Sequence, residues 1–233
     1  MTDMKYLFEP KSIAVIGASG DPSKIGYRVV ENIILGGYNG LLYPVNPRGG
    51  ELLGHAVAKS LDDIENPIDL ACIVIPAPSV FNAVCQCAQR GVKIALVITS
   101  GFSEIGNIEE ENKIISYARE HGIRILGPNV FGIYSATASL NATFGTGDVI
   151  EGNVAIITQS GALGASMIGK TAVENIGLSA MVSVGNKADI DESELLDYLI
   201  TQDQTKIILM YIEGVKDGER LITALNTATK KKP

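Results

Sequence analysis

Short apolar runs alternate with longer amphipathic stretches along almost the whole chain, and this alternation severely restricts the folds available to it. A strand, a helix and a second strand in succession close most readily as a parallel crossover. Repeating that unit predicts parallel sheets with helices on both faces. Ser12–Ile16, Leu41–Val45, Leu70–Ile75, Ile94–Thr99 and Arg124–Leu126 read as strands. Helices near Lys24–Leu35, Val80–Arg90 and Ile108–His121 separate them, the last closed by Gly122 at its C′ position. From Gly127 to Ile150 the periodicity fades. A second cycle then runs through a strand at Val154–Thr158, a helix near Ala165–Asn175, a strand at Leu178–Val184, a helix at Glu192–Thr201, a strand at Lys206–Tyr211 and a helix from about Gly218 to Thr229. The expected architecture is α/β, with two consecutive parallel-sheet, three-layer domains over residues 1–150 and 151–233. A helix followed by KKKP ordinarily leads to another strand, so further sequence or a partner chain is expected to continue the second sheet.

The composition agrees with buried parallel strands. Hydrophobic residues make up 46% of the chain and charged ones 19%, and tryptophan is absent, so the core must be mainly aliphatic. A net charge of −7 argues against nucleic acid, whose binding depends on neutralising phosphates. No apolar run reaches the roughly 18–20 residues of a membrane span, and MTDMKYLFEP has no signal-peptide pattern. A soluble, cytoplasmic protein is expected. Cys85 and Cys87 lie two apart on a helix and point to different faces, while Cys72 sits inside an apolar run. All three read as packing residues, and no metal site is expected.

The first glycine-rich turn, IAVIGASGDPSKIG, follows a strand and opens a helix. Backbone N–H groups at such a helix N-terminus attract anions, and the missing side chains of Gly17 and Gly20 allow phosphate oxygens close to the main chain. The spacing is Gly17-x-x-Gly20 with Gly26 six residues on, not G-x-G-x-x-G. The second strand ends LLYPVNPRG, with Val45 and Asn46 where a dinucleotide site carries its carboxylate for the ribose. A neutral strand end followed by Arg48 suits a ligand with a phosphorylated ribose, which includes both coenzyme A and NADP. Further strand ends carry IPAPS, TSGFSE and GPN. Together with YPVNP these line the edge at which open α/β sheets bind ligands, with Ser79, Ser100 and Asn129 as hydrogen-bonding groups.

In this order, IGAS, YPVNP, IPAP, SGFSE and GPN, followed by ITQSGALGA, VSVGNKADID and YIEGVKDG, resemble the N-terminal part of NDP-forming (ADP-forming) acyl-CoA synthetases, relatives of the succinyl-CoA synthetase alpha subunit. The resemblance covers essentially the whole chain. It implies a Rossmann-like CoA-binding domain followed by a flavodoxin-like ligase domain. The implied reaction is acyl-CoA + ADP + phosphate ⇌ carboxylic acid + CoA + ATP, through an acyl phosphate and a phosphohistidine. Gly17, Ala18 and Ser19 match the family's phosphate turn. Pro44, Val45 and Asn46 match the loop flanking the nucleotide part of CoA, and Pro76 and Ala77 another wall of that site. Ser100 and Gly101 match the loop near the pantetheine arm, and Asn129 stands near the thioester end. Lys24, Arg28 and Arg48 are added on charge alone. In the second half Ser160 and Gly161 match the helix N-terminus that holds the transferred phosphoryl group. Glu213 matches the acidic residue that positions the phosphohistidine.

A phosphohistidine needs an imidazole carrier. The chain has only His55, in a turn after Gly54, and His121, at a helix end, and neither stands in the family's Ser-His-Thr-Gly motif. Both read as structural or surface residues. The resemblance therefore implies that the histidine lies in a C-terminal segment after Pro233, and that ADP or ATP and Mg²⁺ bind through an ATP-grasp domain or subunit. Expected partners are CoA, acyl-CoA, phosphate, that ATP-grasp partner and an oligomeric assembly. A stand-alone CoA-binding module and an NAD(P)-dependent oxidoreductase remain the alternatives at this point.

Overall fold

The computed structural model describes residues 4–145 and 149–233. A short helix α1 (Lys5–Phe8) precedes β1 (Ser12–Ile16), α2 (Ile25–Leu35) and β2 (Leu41–Val45). A small hairpin follows, β3 (Glu51–Leu52) with β4 (His55–Ala56). Then come β5 (Leu70–Ile73), α3 (Ala77–Gln89), β6 (Ile94–Val97), α4 (Ile108–Glu120) and β7 (Arg124–Leu126). Among the described residues the first sheet has the order β2-β1-β5-β6-β7, parallel throughout. Helices cover both faces, which is why its strands read as unbroken apolar runs. Ile13, Val15, Leu70, Cys72, Ile94 and Leu96 pack on the α2 side. Their alternating neighbours Ala14, Ile16, Ala71, Ile73, Ala95 and Val97 pack on the α3 and α4 side. Strand order reverses at β1, so β1 and β5 part at their C-terminal ends and leave a crevice there.

The chain then forms β8 (Gly132–Ser135), β9 (Leu140–Thr143), β10 (Glu151–Thr158), α5 (Gly161–Val173), β11 (Leu178–Ser183), α6 (Glu192–Leu199), β12 (Ile207–Tyr211) and α7 (Gly218–Ala228). The second sheet runs β12-β10-β11-β8-β9 among the described residues. Strands β12, β10 and β11 are parallel, as the periodicity predicts. Strand β8 adds to β11 antiparallel and leads into β9, so the hairpin lies in the stretch where periodicity fades, before residue 150. It escapes pattern reading because every residue of both strands is buried, leaving no polar alternation. Asn32 of α2 donates from Nδ2 to the carbonyls of Thr143 (2.8 Å) and Gly145 (2.9 Å), so the hairpin docks directly on the first unit's helix.

One apolar cluster runs through both units, from Val15 and Ile33 across Leu140 and Ile157 to Leu195. An ion cluster reinforces the junction. Arg124 forms a two-pronged pair with Glu194 (2.9 and 2.8 Å) and a further bond with Asp189 (2.8 Å). Among the described residues no helix is long and apolar enough to cross a membrane.

Candidate functional site

A cavity of about 830 Å³ opens at the C-terminal edge of the first sheet, over the crevice between β1 and β5. Of the residues expected there, Gly17, Ala18, Ser19, Lys24, Asn46, Arg48, Pro76, Ala77 and Ser100 line it. The lining also includes Asp21, Ile25, Gly26, Ile75, Ile98 and Thr99, which sequence reasoning did not single out. The apolar members are strand-end and first-turn residues, whose positions follow only once the sheet is assembled.

The glycine-rich turn works differently from a simple N–H cradle. Gly17 N and Ala18 N both donate to the carbonyl of Val45, at 3.0 and 3.2 Å. Asn46 donates from Nδ2 to the Ala18 carbonyl (2.7 Å) and accepts from Arg48 N at its Oδ1 (3.0 Å). Val45 and Asn46 therefore brace the turn from below, while Pro44 is buried in β2 opposite Val15. Glycine is required at 17 because φ is +97° and a Cβ would run into the Val74 carbonyl. Gly26 is required because its Cβ would meet the Gly17 carbonyl. What faces the cavity is the start of α2. Its N-cap residue Lys24 is extended and supplies no side-chain cap, which leaves first-turn N–H groups without a protein side chain to accept from them. Helices α5, α6 and α7, by contrast, are capped by Ser160, Asp191 and Asp217. An uncapped helix N-terminus beside Lys24 and Arg48 is suited to phosphate. Asp21 is turned to local use: its carboxylate accepts from the N–H and hydroxyl of Ser23, which hold it below its ordinary value.

Arg28 is not brought to this cavity. It pairs with Glu31 at 2.8 Å and lines a separate cavity of about 510 Å³ with Tyr134 and Asn141 of the hairpin. Gly101 (φ +112°) lies beside Ala77 and follows the lining residue Ser100, but is not itself among the residues that line the cavity. Its N–H and that of Phe102 donate to the Glu104 carboxylate. Burial works against that charge, but the bonds from Gly101, Asn186 and Phe102 outweigh it and hold the carboxyl below its ordinary value. Asn129 has φ +61°, donates from its N–H to the Thr99 carbonyl (3.0 Å), and is carried on the cis Gly127–Pro128 segment.

The second expected constellation lies at the C-terminal ends of β10 and β12, which pair directly through Thr158 and Tyr211. Ser160 caps α5, its Oγ accepting from Leu163 N (3.3 Å), and Gly161 opens the helix. Glu213 is exposed just after β12. The residue that sequence reasoning missed here is Gln159, whose side-chain carbonyl accepts from Glu213 N (2.9 Å) and Gly214 N (3.1 Å). A Cβ on Gly161 would lie 3.6 Å from that of Phe131, two residues after Asn129, so the two constellations adjoin. Neither histidine is placed at this edge. His55 belongs to the small hairpin beside β2, and His121 stacks on Tyr117 at the end of α4, which leads into the start of β7.

Comparisons with known proteins agree with this fold. Residues 11–136 match the family described as CoA binding domain, and residues 151–233 the family described as succinyl-CoA ligase like flavodoxin domain. The chain is 49% identical to the acetate–CoA ligase [ADP-forming] I subunit alpha of Pyrococcus furiosus, over 99% of this chain and 51% of that protein. It is 46% identical to the acetate–CoA ligase [ADP-forming] of Methanocaldococcus jannaschii, over 99% of this chain and 32% of that protein. It superposes with a TM-score of 0.97 on the dinucleotide-forming acetyl-coenzyme A synthetase 1 of Ca. Korarchaeum cryptofilum, solved with phosphate and ADP. Identity there is 46%, over 100% of this chain and 51% of that one. The chain thus spans between about a third and a half of the length of these relatives. With a CoA-binding unit followed by a flavodoxin-like one, the chain belongs to the CoA binding domain family and is similar along almost its whole length to the alpha subunits of ADP-forming acetate–CoA ligases.

Proposed function

We propose that this chain is the CoA-binding portion of an NDP-forming acyl-CoA synthetase, working in acyl-CoA + ADP + phosphate ⇌ carboxylic acid + CoA + ATP. The observation that carries the reading is the cavity at the first sheet's edge, whose lining combines an uncapped helix N-terminus, two basic side chains and apolar residues. In this reading the N–H groups at the start of α2, with Lys24 and Arg48, hold the phosphates of CoA. Ile25, Ile75, Pro76 and Ile98 give the ligand an apolar wall, Ser100 and Gly101 flank the pantetheine arm, and Asn129 stands near the thioester end. Gly17, Ala18, Ser19 and Asn46 keep the turn in shape, supported by Pro44, Val45 and Ala77. Arg28 plays no part at this cavity. A division into a CoA-binding unit over 1–150 and a flavodoxin-like unit over 151–233 belongs to the same reading, with the 132–143 hairpin carrying the first unit's chain into the second sheet.

The second unit supplies a receiving site for a phosphoryl group. Ser160 and Gly161 present the N-terminus of α5, and Glu213 orients an incoming imidazole by accepting its N–H. The imidazole itself, the nucleotide and its Mg²⁺ come from another segment or an ATP-grasp partner, because His55 and His121 lie elsewhere. Phosphoryl transfer depends on positioning and charge neutralisation, so the chain by itself should not turn over. The test is incubation with radiolabelled phosphate, acetyl-CoA and ADP. No label should enter the lone chain, whereas adding a histidine-bearing segment and an ATP-grasp partner should produce ATP, and Glu213→Gln should then depress the rate. Acid-labile, base-stable label on the lone chain that disappears in His55→Ala or His121→Ala overturns the assignment.

A further inference from the structure

The turn between β11 and α6 touches both proposed sites at once. Gly185 packs its backbone against Pro128 and Asn129 so closely that a Cβ would run into both carbonyls, and its φ is +54°. Asn186 N donates to the Pro128 carbonyl and Ala188 N to that of Gly127, both at 2.9 Å. The side chain of Asn186 then reaches into the first unit. Its two amide hydrogens are divided between Glu104 Oε2 (2.7 Å) and Glu111 Oε2 (2.8 Å), while its Oδ1 faces Asn129 Nδ2 at 3.4 Å. Two carboxylates on one side fix the amide's orientation, since only the NH₂ group can serve both. Glu104 is the residue that holds Gly101 N and Phe102 N. Asn186 therefore grips the loop after β6 and the loop after β7 together.

The next residue faces the other way. Lys187 is buried, 3% exposed, and takes up φ +50°, unusual for a long side chain. Its Nζ lies 3.1 and 3.0 Å from the two oxygens of Glu192, also buried, and donates to the carbonyl of Gly214, next to Glu213. Lys216 Nζ in turn donates to the Lys187 carbonyl at 2.7 Å. A buried lysine in a strained backbone conformation thus holds the carbonyl of Gly214, whose N–H donates to Gln159.

We propose that Gly185-Asn186-Lys187 is a positioning turn that couples the CoA-binding loops to the Glu213 loop, so that occupation of the first sheet's edge orders the phosphoryl-receiving edge of the second. This rests on the CoA reading given above. Hydrogen exchange on the intact chain, with and without CoA, tests it without any substitution. CoA should slow exchange at the loops lining its cavity and also at residues 184–188 and 213–215. Asn186→Ala should weaken CoA binding roughly five- to tenfold, the low end of site-to-site coupling. Asn186→Asp, nearly isosteric, should weaken it further because it sets a third carboxylate against Glu104 and Glu111. Lys187→Met should abolish the added protection at 213–215. CoA binding with protection confined to the cavity loops, and unaltered in these variants, overturns the coupling and leaves the CoA site standing. No heat of binding and no change in exchange anywhere overturns the CoA reading and this inference with it.

Discussion

Replacing Arg124 by Met removes the charge at the junction of the two units while keeping most of the side chain's apolar stem. Arg124 donates twice to Glu194 and once to Asp189, and those carboxylate side chains are 11% and 3% exposed. Removing one partner of a buried ion pair costs about 3–5 kcal/mol, because the remaining charge is left in a poorly solvated place. Here the loss is tempered. Asp189 keeps Arg119 (3.1 Å) and the N–H of Ile125 (2.9 Å), and Glu194 keeps Arg220 at 3.7 Å. A loss of about 2–3 kcal/mol is therefore expected from Arg124→Met. Urea unfolding followed by circular dichroism reads it directly. The double variant with Glu194→Gln should be less destabilised than the sum of the singles, since both weaken the same Arg124–Glu194 pair. A loss below about 0.5 kcal/mol, the size of an exposed surface pair, would refute the claim that this cluster holds the units together.

Gly17→Val should disrupt folding rather than ligand binding alone, because the side chain meets the Val74 carbonyl, whereas Gly20 has open space around it. Gly20→Leu should leave thermal unfolding unchanged and lower CoA affinity, and equal affinity would remove that residue from the approach to the phosphates. Glu104 is held below its ordinary value in the fold, so its contribution is present above the usual carboxylate range and is lost as pH falls through the depressed value. Glu104→Gln should accordingly flatten the acid limb of a stability–pH profile, and an unchanged acid limb would contradict the bonds assigned to it. Burial pushes the Cys72 thiol up to about 12, and burial with a smaller contribution from Cys85 does the same at Cys87. Only Cys85 should react with a thiol reagent in the native chain, and rapid modification of Cys72 would contradict the packing of β5.

The parallel strands were legible because both faces of the first sheet are covered, which writes each strand as an apolar run. The β8–β9 hairpin was not, since its buried residues include Gly132, Ser135, Asn141 and Thr143, with no periodicity to read. Motif-borne positions such as Gly17, Ala77 and Ser100 came together at one edge because strand ends in a parallel sheet share a side. Arg28, chosen by charge, was lost to the phase of α2, which points it toward the hairpin. Gln159, Asn186 and Lys187 stayed hidden because their partners lie 54, 82 and 27 residues away in Glu213, Glu104 and Gly214. Their roles exist only between two assembled sheets.

Parallel calorimetric titration of the chain with CoA, dephospho-CoA, NAD and NADP tests the central claim most directly. CoA should bind. Dephospho-CoA should bind roughly tenfold or more weakly if Lys24 or Arg48 reads the 3′-phosphate as proposed, since a charge-assisted hydrogen bond is worth about 1.5–3 kcal/mol. Neither nicotinamide dinucleotide should compete. NADP binding as tightly as CoA, or no heat with CoA at all, would contradict the assignment of the first sheet's edge as a CoA site.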